Sequence, residues 1–156
     1  NLIVAHKRPG PDLGFVGDVT RINPEIVHVL VGQGFIPVIC SVAIGEGGES
    51  YNINADHVAG QLAAALDAVK LIMLTDVEGI YEEFSDKSTL QAELSPEKAR
   101  AMIASGKIEK GMIPKVEACL TALEGGVERT HVIDGRLPHA TLIELFTDRG
   151  IGTMIA

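Results

Sequence analysis

The sequence has no tryptophan, two cysteines and only 4% aromatic residues. So few cysteines exclude a disulfide-stapled scaffold. Cys40 and Cys119 each sit inside an apolar run, which reads as two buried free thiols in a reducing cytoplasm. Cations are also scarce: 13 Lys and Arg face 21 Asp and Glu, for a formal charge of −8. That excludes non-specific nucleic-acid binding, since phosphate contacts need a cationic surplus. No apolar run is long enough to span a bilayer, and no basic-then-apolar segment opens the chain, so neither a membrane nor a nucleic acid is expected as a partner. His6, His28, His57, His131 and His139 show no close metal-ligand spacing with either cysteine, so a zinc site is not expected and no residue is assigned to a metal. There is no initiator Met. The chain starts directly on the apolar "NLIVAH", which reads as a piece cut from something longer.

What is present is enough apolar material for one domain over residues 1–156. Apolar residues make up 46% and charged residues 22%, a globular balance. "NLIVA" reads as a strand, and the Gly- and Pro-punctuated "HKRPGPDLGFVGDV" as a loop or hairpin. Asn23 followed by Pro24 predicts a helix start with an asparagine cap, ended by Gly32 to Gly34. "FIPVICSVAI" predicts a buried strand, "GEGGES" a hairpin turn and "YNI" a short extended piece. A helix follows to about Ala68, then the fully apolar strand "KLIMLT". Ser95-Pro96-Glu97 opens a third helix and "GMIPKVEACLTALEGG" carries a fourth. "THVIDG" (strand), "HATLIELF" (helix) and "GTMIA" (strand) complete the series. Strands alternating with helices, with central strands apolar on both faces, predict an α/β fold: a mostly parallel sheet covered on both sides.

In such sheets ligands bind beyond the carboxyl ends of strands, and three polar clusters fall there. In "YNINADHVAG", alternation places Asn52, Asn54 and Asp56 on one side while the segment stays extended. The run reads either as a turn with a cap or as amide donors with an organising carboxylate. Thr75-Asp76-Val77-Glu78-Gly79-Ile80-Tyr81 follows a strand end, where Asp76 suits a ribose hydroxyl or a metal-bound water, or simply closes a turn. In "KIEKGMIPKVEA", Gly111 and Met112 precede a helix whose first-turn N–H groups are expected to be open. Pro114 sits in that first turn, and Lys107, Lys110 and Lys115 form a cationic corner suited to phosphate, or else are solvated. His28 and His57 on apolar helices read as partly buried structural histidines.

Taken together, "GFVGDV", "NINAD", "KLIMLTDVEGIY", "GMIPKVEACL", "HVIDGR" and "ELFTDRGIGT", in this order and spacing, resemble the C-terminal half of the acetylglutamate kinases, in the amino acid kinase family. The resemblance implies a three-layer α/β/α fold acting as the ATP-binding lobe of a longer kinase. It implies phosphoryl transfer from ATP to the γ-carboxylate of N-acetyl-L-glutamate in arginine biosynthesis, with Mg2+ held mainly through the phosphates. By the same resemblance Asn52 is expected to contact acetylglutamate and Asn54 to lie near it, Asp56 to organise catalytic lysines, and Lys115 to stabilise the transferring phosphoryl group. Thr75, Asp76, Val77, Gly79, Tyr81, Lys107, Gly111, Met112 and Lys115 match the nucleotide-binding loops. In the arginine-inhibited branch, His131, Glu144 and Gly150 match the effector site.

The sequence departs from the family at its front: the Lys-x-Gly-Gly loop, the second Gly-rich loop and the substrate-binding arginine are not found. The chain by itself is therefore expected to be inactive, and the full-length enzyme to be a cytoplasmic homo-oligomer. Two other readings stay open: a stand-alone nucleotide-binding module without chemistry, or another branch acting on aspartate, glutamate, carbamate or uridylate.

Overall fold

Alternation sets the first strand. In the computed structural model, which describes residues 1–147 and 150–156, Ile3–Lys7 (β1) buries Ile3 and Ala5 and exposes His6 and Lys7. It returns antiparallel to Gly17–Ile22 (β2), so the Gly- and Pro-rich segment is a hairpin. β1 also runs parallel to Val42–Ile44 (β3), which turns back antiparallel into Ser50–Asn52 (β4). The "GEGGES" turn therefore closes a hairpin, and the first sheet has the order β2-β1-β3-β4.

The second sheet is built from Lys70–Thr75 (β5), Glu93–Leu94 (β6), Arg129–Asp134 (β7) and Thr153–Ile155 (β8), in the order β5-β7-β8-β6. β5 and β7 are parallel from Lys70↔Arg129 to Thr75↔Asp134. β8 runs antiparallel to β7 and parallel to β6. The class is the expected three-layer α/β/α sandwich, with mixed sheets. The antiparallel pairs come from the two hairpins of the first sheet and from the return strand β8.

Among the described residues, five helices cover the sheets: Glu25–Gly32 (α1), Ala55–Ala65 (α2), Pro96–Ala104 (α3), Ile113–Glu124 (α4) and Ala140–Phe146 (α5). The larger core lies under the second sheet and centres on Met73, Leu94, Val116, Cys119, Val132 and Ile155. A smaller one under the first sheet holds Ile3, Ala5, Ala43, Tyr51, Ile53 and Val58. α2 touches both β2 and β5 and packs most closely on α4, so it joins the two halves.

Four local expectations are corrected. Asn23 does not cap α1. Its side chain donates to the Asn1 carbonyl at 2.6 Å, and Pro24, already helical, stands at the cap position without a side-chain bond. The apolar run Phe35–Ile44 is a strand only from Val42, and its outer positions are open to solvent. Cys40 lies on that open side and is exposed, whereas Cys119 is buried and desolvation pushes its thiol up to about 11. His28 is exposed; His57 is half-buried as expected.

Candidate active site

The run "NINAD" spans a strand end and a helix start. Asn52 closes β4, its side chain exposed and its N–H donating to the Phe15 carbonyl at 2.8 Å. Ile53 turns into the core, and Asn54 is outside again, so the alternation holds up to the helix. Asn54 is the N-cap of α2. Its side-chain oxygen accepts from the Asp56 N–H at 2.8 Å and from the His57 N–H at 3.3 Å, satisfying donors that a helix start leaves open. The capping reading holds at Asn54, while the Asn52 side chain is exposed at the strand end.

Asp56, in the first turn of α2, meets Lys115, in the first turn of α4. The Lys115 Nζ donates to both carboxylate oxygens of Asp56 at 3.0 Å, with about a fifth of each side chain exposed. A lysine at a helix N-terminus opposes the helix dipole, and the carboxylate offsets that cost. The two helices are held at this spacing by Gly60: a Cβ there would lie 2.5 Å from the Ala118 carbonyl oxygen. Asp56 is one helical turn before Gly60 and Lys115 about one turn before Ala118, so the backbone contact fixes the distance across which the ion pair closes.

The helix start itself differs from expectation. The N–H groups of Met112 and Ile113 both donate to the Glu109 carbonyl, and those of Lys115 and Val116 to the Met112 carbonyl. A turn over 109–112 thus uses donors that the sequence suggested were open. The cationic corner is also partly neutralised. Lys107 pairs with Glu82 at 2.8 Å, a hydrogen bond that raises the lysine's pKa, and Lys115 pairs with Asp56.

The segments Val77–Tyr81 and Lys107–Met112 do come together. Val77, Gly79, Tyr81, Lys107 and Met112 line one narrow cleft with Phe84. Its volume of about 20 Å3 holds roughly one water molecule, so a larger ligand requires the cleft walls to part. Gly79 is needed for contact, since a Cβ would lie 2.7 Å from the Thr153 Oγ1. That hydroxyl accepts from the Ile80 N–H and donates to the Gln91 carbonyl, pinning the loop to β8. The Tyr81 hydroxyl bonds the Glu78 carboxylate. Burial first, and then that bond, raises the tyrosine's pKa. Lys87 lies 4.3 Å over the Tyr81 ring. Thr75 and Asp76 stand at the carboxyl end of β5, their side chains joined at 3.3 Å and Asp76 exposed.

Two residues beside them were not singled out from the sequence. Asp134 ends β7 in register with Thr75. It accepts from the Arg136 backbone N–H, Nε and Nη2 at 2.8–2.9 Å. The Arg136 side chain, and then its backbone N–H, hold the Asp134 carboxyl down at about 2. The hydrogen bond to Asp134 first, with the charges of Asp76 and Glu78 adding last, raises the Arg136 pKa. The signal was the "DGR" of "HVIDGR", in which a charge pair two residues apart closes a turn.

His131, Glu144 and Gly150 line a separate cleft of about 430 Å3 with Lys70 and Arg129. The His131 Nδ1 lies 2.6 Å from Glu144 Oε1, and Glu144 Oε2 accepts the Ile151 N–H at 2.9 Å. His131 Nε2 is buried and has no hydrogen-bond partner among the described residues. A Cβ on Gly150 would meet the Glu144 carboxylate at an ordinary 3.5 Å. Asp148 and Arg149, within "ELFTDRGIGT", lie outside the described residues.

Comparison with known proteins gives consistent matches. Residues 2–134 match the amino acid kinase family. The acetylglutamate kinase of Pelotomaculum thermopropionicum is 58% identical over 92% of this chain and 49% of its own length. That of Methanothrix thermoacetophila is 52% identical over 99% of this chain and 56% of its own. The chain thus spans about half the length of the curated relatives it matches. Among solved structures, N-acetylglutamate synthase from Neisseria gonorrhoeae, complexed with coenzyme A and L-arginine, superposes on all of this chain and 36% of its own. The TM-score is 0.89 at 28% identity.

Proposed function

The chain belongs to the amino acid kinase family, and from that premise we propose that residues 1–156 are the C-terminal, nucleotide-binding lobe of an acetylglutamate kinase. The observation that carries the reading is the bidentate Asp56–Lys115 pair at the starts of two helices, beside the exposed Asn52.

The reaction joins a γ-carboxylate oxygen of N-acetyl-L-glutamate to the γ-phosphorus of ATP. The bridging P–O bond breaks, leaving ADP and an acyl phosphate. The attacking carboxylate is already ionised at neutral pH, so no general base is required. What the step needs is positive charge between two anions, and positioning. Lys115 supplies that charge to the phosphoryl oxygens. Asp56, with both oxygens committed to the ammonium, orients it and takes no proton. Asn52 donates to the acetylglutamate. Thr75, Asp76, Val77, Gly79, Tyr81, Lys107, Gly111 and Met112 receive the nucleotide once Phe84 and Met112 part. Magnesium would be held mainly through the nucleotide phosphates, as the family resemblance implies.

The Lys-x-Gly-Gly loop, the second Gly-rich loop and the substrate-binding arginine that the family resemblance implies are not found in this chain, so by itself it does not turn over. The His131–Glu144 cleft is the effector site for arginine. In support, it holds a buried imidazole nitrogen with no partner among the described residues and a carboxylate beside it, and the Neisseria gonorrhoeae synthase was solved with L-arginine.

The test joins the first half of the Pelotomaculum thermopropionicum enzyme to Asn1. Lys115→Ala in that chimera lowers kcat by about 10²–10³ with little change in KM. Asn52→Ala raises the acetylglutamate KM and leaves that for ATP alone. An unchanged kcat removes Lys115 from the mechanism.

A further inference from the structure

We infer that the turn 134–136 is a clamp that positions the nucleotide loop, holding Asp76 where the two hydroxyls of a ribose can reach its carboxylate. The inference deepens the proposed nucleotide site and rests on it. β5 and β7 end side by side, with Thr75 in register with Asp134. One residue further, the Gly135 N–H donates to the Thr75 carbonyl at 2.8 Å. The turn lies tight against β5: a Cβ on Gly135 would stand 3.2 Å from the Leu74 Cβ. The peptide that leads into Asp76 is therefore tied down from the neighbouring strand, although Asp76 itself is exposed.

Arg136 completes the clamp. Its backbone N–H and its Nε both donate to Asp134 Oδ1 at 2.9 Å, and its Nη2 donates to Oδ2 at 2.8 Å. The Asp134 side chain is 17% exposed and that of Arg136 67%, so a largely buried carboxylate anchors a guanidinium that stands in solvent. A planar fork held on both oxygens keeps one orientation. Asp134 first, and then the charges of Asp76 and Glu78, raise the Arg136 pKa, which places the guanidinium within electrostatic reach of both. Glu78 is engaged by the Tyr81 hydroxyl. Among the described residues Asp76 accepts one side-chain hydrogen bond, a long one of 3.3 Å from Thr75 Oγ1, so most of its acceptor sites are left for a ligand. An ionised carboxylate accepts and does not donate. A guanidinium nearby opposes a divalent cation there, so the donors that suit Asp76 are neutral hydroxyls. Two adjacent hydroxyls, as on a ribose, match its two oxygens, and the carboxyl ends of strands are where α/β sheets seat ligands. Without Arg136, the carboxylates of Asp76, Glu78 and Asp134 are left to repel one another, and Asp76 loses its orientation.

The test measures the binding of ATP and of 2′,3′-dideoxy-ATP to the 156-residue chain by isothermal titration calorimetry, with magnesium present throughout. The wild-type chain is expected to prefer ATP by about tenfold or more, the worth of hydrogen bonds to a charged acceptor. Arg136→Ala and Asp76→Ala each reduce that preference to about twofold or less and leave the affinity for dideoxy-ATP unaltered. In the Asp76→Ala background Arg136→Ala has no further effect, because it acts through that carboxylate. Arg136→Lys, which keeps the charge and loses the fork, restores part of the preference. Several outcomes overturn the inference and leave the nucleotide-binding lobe standing: no preference in the wild-type chain, an undiminished preference in Arg136→Ala, an equal loss for both nucleotides as from a merely structural turn, or additive effects in the double variant. A wild-type chain that binds neither nucleotide overturns both.

Discussion

Ile155 and Ile36 are the same residue in strand-like segments, yet Ile155 is fully buried and Ile36 is 91% exposed. Ile155 closes the core of the second sheet, where α3 and α4 complete the packing around Leu94, Met102, Val116 and Cys119. Ile36 faces away from the core of the first sheet, and among the described residues little covers the outer positions beside it. The difference teaches that apolar periodicity reports which faces a strand is built to bury, while burial itself depends on a partner being there.

The contrast is sharpened most by paired truncations. Leu94→Ala removes side-chain volume from the closed core and costs about 2–5 kcal/mol. Val38→Ala on the open face changes stability by less than about 0.5 kcal/mol. Urea melts of the two variants measure this directly, and equal losses would erase the distinction between the halves. Next is the seam that joins them. Gly60→Ala drives a methyl group into the Ala118 carbonyl and costs about 1–3 kcal/mol as α2 and α4 separate. A wild-type melting temperature would show that the helices have slack and that Gly60 does not set the Asp56–Lys115 spacing.

Much of this could be read from the residues. The positions of α2 and α4, the two hairpins and the convergence of "NINAD" with "GMIPK" follow from periodicity, from helix-start chemistry and from the family resemblance. Three things could not be read. The emptiness outside Ile36 and Val38 is invisible to periodicity, which cannot say whether cover exists, and the exposure of Cys40 follows from the same gap. Asn23 has a cap's sequence, but its side-chain amide donates instead to the Asn1 carbonyl and Pro24 takes the cap position. The first-turn donors of α4 are taken by a turn at Glu109, and a turn of mixed polar and apolar residues leaves no periodic trace.

Smaller effects separate the two clefts. In the chimera, Glu144→Gln shifts the arginine inhibition curve to higher concentration and leaves the uninhibited kcat unaltered; superimposable curves would make the His131–Glu144 pair structural. The smallest effect is in acid. Asp134 is held at about 2, below its ordinary 3.8, chiefly by Arg136. A carboxyl depressed in the folded state stabilises above its unfolded pKa, so its contribution is intact above about pH 4 and is lost as pH falls through 2. Asp134→Asn flattens that part of the acid melt, and an unchanged acid limb would deny the clamp any part in stability.

The most direct measurement is ATP-dependent acyl phosphate formation on N-acetyl-L-glutamate, trapped with hydroxylamine, by the 156-residue chain and by the same chain joined to the first half of its relative. The expected result is no product from the chain alone, turnover from the joined protein, and loss of that turnover with Lys115→Ala. Turnover by the isolated chain that Lys115→Ala abolishes would contradict it.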